Sequence, residues 1–453
     1  MDRLVTMTGN SAEQQEAPPK IFRAPWSLFW VAFVVRILVI LVGRTYRTPQ
    51  EFDHFNFAFE IGRIAQSLVE GRGFGSPFGG NTGPTSWIMP LYPLLLAGVF
   101  KVCGTYTALS AGVMHGIDSL FDAFTAMVVA EIGGRVFGRR VGLWSGWLWA
   151  LYPGTIQYPI HWIWDMSLSA MCFSLMLAQA LRMRGIGDGT LRLGVRDWIC
   201  FGLAWGLFGL VNPTALLLLP VSVLWLLWQP KHGISACLRN LFQQSLGVLV
   251  CALVVIAMFS PWVTRNWMAF HSFIPTRGNL GAELESAWSP LWQGFPAQGQ
   301  RVGILEAEPT HQRYEKIGEV AWVREQGVRA KEWLHRDPWR VLVRDPLLRV
   351  DMFWSSVPHI DERHPWMEVG REINYAFLSV TGLLGLALAV CKKVQGAGLF
   401  LASCILMPLT YYFISAAARF RHPLEVVLIV TTVYLFSQAE LRWGFSHRSP
   451  DAA

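Results

Sequence analysis

Apolar runs of about 18 residues recur along the chain, from 26–43 to 424–435, and each approaches the roughly 20 helical residues that a hydrocarbon core requires. Repeated runs of that length specify an all-α polytopic bundle. Composition agrees, because 53% of the 453 residues are apolar and only 15% are charged, too few charges for an ordinary soluble domain. The first 25 residues are polar, and the run after them lacks a small-residue cleavage site and leads into a long polar segment, so no cleavable secretory signal is expected.

Helices are expected near 26–43, 107–132, 142–158, 166–182, 197–211, 213–229, 241–262, 373–390, 397–416 and 423–438, about ten transmembrane helices in all. With a cytoplasmic N-terminus, the inward segments carry Arg135, Arg139, Arg140, Arg182, Arg184, Arg192, Arg196, Lys392 and Lys393. The short outward turns after Tyr158 and at Asn212-Pro213 carry no lysine or arginine, so the positive-inside rule favours this orientation, with both termini cytoplasmic. The net charge of +7 then reads as a topology signal in short clusters and not as a nucleic-acid surface. The seven cysteines show neither zinc spacing nor a disulfide framework.

Two outward segments are too long to be mere connectors, 44–106 and 263–370, and long ordered loops tend to carry function. The chain therefore divides into a transmembrane module over 1–262 that includes the first outer loop, an outward domain over 263–370, and C-terminal transmembrane helices over 371–453. In the first loop, "PTSWIMPLYPLLLAGVFKVCG" has three prolines in its first ten residues, and as a crossing it would put the basic "GGRVFGRR" outside. Amphipathic helices lying at the outer interface are expected there instead.

The polar residues that stand out lie in those segments and at the expected outer ends of spans. "EFDHFNFAFEIGRIA" places Glu51, Asp53 and Glu60 among phenylalanines, and on a helix Asp53 and Glu60 share one face. "YPIHWIWDMSLSAM" sets His161 and Asp165 at the outer end of the fourth span, where Asp165 reads equally well as a helix cap. "AARFRHPLEVV" puts Arg419, Arg421 and His422 outside, against the charge rule, as an anion site would. "PWVTRNWMAFHSFIPTRGNLGAELE" contributes Arg265, Arg277, Asn279 and Glu283 as substrate contacts, although Arg265 alone reads more readily as an interface anchor. Deeper in the membrane, Arg36 lies in the first span and needs a partner, for which Asp118 or Asp122 of the second is expected.

In order and topology, "IAQSLVEGRGF", "IWDMSLSAM", "NPTALLLLP", "PWVTRNWMAFHSF" and "ARFRHPLE" resemble the GT-C superfamily of membrane glycosyltransferases, in its family 39-like bacterial branch with the protein O-mannosyltransferases and lipid A aminoarabinose transferases. The resemblance implies transfer of a sugar, with inversion, from a polyprenyl-phosphate donor to a protein, lipid or glycan acceptor. The chain would then sit in a bacterial inner membrane with its active site facing the periplasm. It also implies a first-loop carboxylate as base and Asp165 as a second acid. Where the family pattern places an aspartate, this chain has Asn56; Asp53 lies one turn earlier and Glu60 one later, with Glu51 third. Metal-dependent and metal-independent members both exist, so a divalent metal ion stays open, with Asp53 and Asp165 as its ligands. Two readings compete. A flippase of polyprenyl-linked sugars would also need a phosphate site but usually shows inverted repeats, which are not evident. A non-catalytic membrane scaffold is favoured if the first-loop acids face bulk water.

Overall fold

Every regular element among the described residues is helical, apart from an isolated antiparallel bridge between Gly75 and Pro84. The computed structural model describes residues 25–47, 57, 59–228, 233–290, 308–355 and 365–442. Helix α1, Pro25–Gly43, buries Leu28, Phe29, Ala32, Arg36 and Ile40, a stripe at helical spacing, and turns Trp30, Leu38 and Val42 outward. The first outer loop folds into α2, Glu60–Val69, and α3, Leu91–Cys103, which pack on each other. At 13 residues, α3 is about 20 Å long, too short for the roughly 30 Å hydrocarbon core. Between them, Gly71 and Gly73 have φ of 77° and 84°, where a side chain would strain the backbone.

Helix α4, Ala108–Phe137, starts at a capping box, in which the Thr107 hydroxyl accepts from the Ser110 amide and the Ser110 hydroxyl from the Thr107 amide, both at 3.0 Å. The helix expected over 142–158 is interrupted, forming α5, Arg139–Leu151, and α6, Pro153–His161, with Tyr152 extended between them. Pro153 has no amide hydrogen and pushes its predecessor out of the helical region, which orphans carbonyls of the preceding turn. Those carbonyls are taken up by side chains: Thr155 donates to Trp149 O at 2.7 Å, and Arg36 donates to Ala150 O at 3.0 Å.

The chain continues through α7, Met166–Met183, α8, Val195–Val211, a 3-10 turn at Pro213–Leu217, α9, Leu218–Leu227, α10, Gly233–Gln243, and α11, Ser245–Phe270. The long segment after α11 then supplies α12, Leu280–Trp288, α13, Thr310–Ile317, α14, Glu319–Arg336, and α15, Asp345–Trp354. The C-terminal part consists of α16, Pro365–Cys391, α17, Ala397–Phe413, the four-residue α18, Ala418–Arg421, and α19, Glu425–Arg442, entered through a 3-10 turn at His422–Leu424. Among the described residues six helices are long and apolar enough to cross a membrane, and Leu91–Cys103, Pro213–Leu227 and Ala397–Phe413 are shorter apolar ones. The molecule is a multi-pass membrane protein.

Of the two acids expected near Arg36, Asp122 is the partner, at 3.2 Å with both side chains fully buried. Asp118 instead accepts from the Tyr92 hydroxyl at 2.7 Å. Breaking a buried pair leaves an uncompensated charge, so Asp122→Leu should cost about 3–5 kcal/mol, and Arg36→Met with Asp122→Leu should recover most of it. Unfolding of the three proteins in detergent measures this, and a double variant no better than the single one would count against it.

The outward helices are tied to the first loop through one buried acid. Glu319, the first residue of α14, accepts from the Ser86 amide and hydroxyl at 2.7 Å each, from the Tyr314 hydroxyl at 3.1 Å and from the Thr85 hydroxyl. Gly278 lies so close to this strap that an added Cβ would meet the Ser86 hydroxyl at 2.2 Å, and its amide donates to Ser86 O at 3.0 Å. Glu319→Ala strands these donors in a buried setting, at about 1–3 kcal/mol. Faster protease cleavage within 70–90 is the expected readout, with α2 and α3 otherwise intact.

Candidate functional site

Phe57 and Phe59 occupy turns, and the helix begins only at Glu60, so among the described residues the acidic helical face expected from Asp53 onward starts there. Glu51, Asp53 and Asn56 lie outside the described residues. Glu60 is half-buried, and burial pushes its carboxyl up to about 7; the like charge of Glu283 adds to the rise, while Arg419 and Arg63 oppose it. Arg63 sits over the Phe59 ring at 4.9 Å, one turn along α2.

Asp165 occupies the N-cap position of α7 but makes no side-chain capping bond. Its carboxyl is raised by burial, against the opposing charges of Arg277 and Arg419. Glu283 on α12 behaves alike, raised by burial and opposed by the same two arginines. Asn279, buried one turn before it, donates to the Glu283 carboxylate at 2.9 Å and so fixes its orientation. Among the described residues the Nε of Arg277 is buried with no hydrogen-bond partner. Arg419 lies with its guanidinium 4.3 Å above the Trp164 ring and 4.9 Å from that of Phe420.

Arg419 thus stands within electrostatic reach of Glu60, Asp165 and Glu283, and Arg277 within reach of the last two; all five are half-buried. They come from the first loop, the entry to α7, the segment after α11 and the turn before α19. A polar group of neutral side chains adjoins them, with Asn212 donating to the Tyr411 hydroxyl at 3.2 Å and Thr214 3.1 Å from the same oxygen.

The other sequence candidates are placed differently. Arg265 is spent on the backbone of the first loop, donating to Thr85 O at 2.6 Å and to Phe74 O. His161 ends α6 in an exposed position, edge-on to Trp162. Arg421 and His422 are 1% and 0% exposed and face Glu425, with Arg421 at 3.2 Å and His422 at 2.8 Å from its carboxylate oxygens. Glu425 and Glu319 were not singled out by the sequence reading. Glu425 does have a signal, since "RHPLE" sets an acid four residues after Arg421 and three after His422; Glu319 has none, because its first-loop partners Thr85 and Ser86 lie more than 230 residues away.

A divalent ion needs oxygen or nitrogen ligands gathered without competing cations. Among the described residues no group of three histidines, cysteines or acids has that arrangement, and Asp165 faces two guanidiniums. The described residues do not build a metal site, and Asp53, the other expected ligand, lies outside them.

No family model matches the chain and no curated protein matches it. Among solved structures, the oligosaccharyltransferase of Archaeoglobus fulgidus in its apo form superposes on 92% of this chain with a TM-score of 0.55 and 14% identity, over 51% of its own length. The same enzyme, AglB, in complex with an inhibitory peptide and a dolichol-phosphate gives 0.54 and 15%, over 92% of this chain and 50% of that one. This chain therefore spans about half the length of that oligosaccharyltransferase. ArnT of Cupriavidus metallidurans aligns over 89% of this chain and 77% of its own at 15% identity, but its TM-score of 0.36 is too low to bear on the fold. At such identities the likeness concerns architecture alone, an architecture shared with that oligosaccharyltransferase.

Proposed function

We propose that the protein is an inverting glycosyltransferase that moves a sugar from a polyprenyl-phosphate carrier to an acceptor at the outer face of a bacterial inner membrane. The observation that carries this reading is the meeting of three half-buried carboxylates with two arginines at one end of the bundle. Dolichol-phosphate in the structure of the similarly folded oligosaccharyltransferase supports a lipid-phosphate donor here. With cytoplasmic termini, as the distribution of lysine and arginine favours, that end of the bundle is the outer one.

The chemistry needs two things. A phosphate is already a competent leaving group, so it calls for cations and not for a general acid; Arg419 and Arg277 hold it, with forks suited to its oxygens. The acceptor hydroxyl or amine must lose its proton, and Glu60 takes it, poised near neutral pH. The acceptor atom bonds to the anomeric carbon from the face opposite the phosphate. The bond from carbon to phosphate oxygen breaks, and its electron pair leaves on the polyprenyl phosphate. Asp165 and Glu283 orient the acceptor, and the developing oxocarbenium charge lies among carboxylates.

Purified protein in bilayers with radiolabelled polyprenyl-phosphate sugars tests this. Wild type should turn over at least one donor, and Asp165→Asn should lower kcat/KM by about 10–100-fold, as loss of a charge-assisted hydrogen bond would. Undetectable turnover with every donor, while labelled carrier crosses the bilayer, would replace the enzyme with a flippase.

A further inference from the structure

The turn that bears Arg419 cannot hold itself. Helix α18 has four residues and no side-chain cap, well below the length at which a helix is stable alone. Its placement must come from tertiary bonds, and these run through a buried chain of ionisable groups beneath the site. Arg421 donates to Trp354 O at 3.1 Å, to Tyr375 O at 3.2 Å and to the Ser379 hydroxyl at 2.5 Å, joining the end of α15 and the face of α16 to the turn. Glu425 then receives Arg421 and His422 together. On its other side His422 approaches Asp122, the partner of Arg36, with Nε2 3.7 Å from Oδ1.

Resting on the function proposed above, we propose that His422, held by Asp122 and Glu425, is a positioning residue that sets Arg419 against the donor phosphate. His422 follows Arg419 by three residues, so it lies on the same side of the turn, one layer deeper in the bundle. Its ring is held between Tyr158, at 4.2 Å, and Trp149, at 5.3 Å, and the Trp149 indole donates to Asp122 O at 3.1 Å. His422 Nε2 and Asp122 Oδ1 are both buried, and neither has a hydrogen-bond partner among the described residues. Their separation exceeds a hydrogen bond by somewhat under 1 Å. A movement of that size in the turn makes the bond, and it couples the depth of the bundle to the reach of Arg419.

The test is a double-mutant cycle on affinity for undecaprenyl phosphate, with wild type, His422→Gln, Arg419→Ala and the double variant in detergent, and melting temperature recorded alongside. His422→Gln should weaken binding by about tenfold. The double variant should bind no more weakly than Arg419→Ala alone. A purely structural role would lower the melting temperature and leave the affinity of the folded protein unchanged, which would overturn the proposal, as would effects that multiply. Arg419→Ala binding like wild type would overturn the assignment of Arg419 itself, a separate failure. If His422→Gln does not fold, Ser379→Ala removes one anchor of Arg421 with little loss of packing, and the same outcomes decide.

Discussion

Glu60→Gln is expected to lower kcat/KM for sugar transfer by about 10²–10⁴-fold, the span over which a positioned general base contributes. The substitution keeps the size of the side chain and its place at the start of α2 but removes the lone pair that takes the acceptor proton. The pH dependence sharpens the test. A base must be ionised to work, and burial raises the Glu60 carboxyl to about 7, so activity should be full above pH 8. It should fall about tenfold per unit as pH drops below 7. In Glu60→Gln this limb should vanish along with most of the rate. An unchanged profile in that variant would transfer the role to Asp53.

Arg419→Ala should reduce kcat/KM by about 10²–10³-fold, because a cation facing the leaving phosphate acts mainly as its charge develops. Arg419→Lys should restore little. The guanidinium lies over the Trp164 ring, 4.3 Å away, and an ammonium offers no fork for two phosphate oxygens and stacks less well on an aromatic face. The measurement is steady-state turnover of a labelled polyprenyl-phosphate sugar at several donor concentrations. Full rescue by lysine would mean that charge alone matters and that the phosphate sits further from the ring.

The helices, their order and the acids at the start of α2 and α7 were legible in the sequence because hydrophobic period and length are local properties. The break at Tyr152 was also written there, in Pro153, yet an apolar run hides a proline that ends one helix and starts another. The helical face from Asp53 to Glu60 was drawn by extending a period through Phe57 and Phe59, which occupy turns. Arg265 shows the opposite difficulty: its sequence setting suits a ligand contact, and its guanidinium is instead engaged by two carbonyls of a loop about 180 residues earlier.

By itself, the sequence determined a multi-pass helical bundle with charged residues concentrated in two long segments between spans, since the bilayer accepts only long apolar helices and leaves polar chemistry to the loops. What only the tertiary structure decided is which charges meet. Arg419 and Arg421 are two residues apart, so on a helix they point about 200° apart, one to the half-open site and the other to the buried Glu425. Nothing local distinguishes them, because the difference lies in what each direction encounters: Trp164 and the outward acids for one, the interior of the bundle for the other.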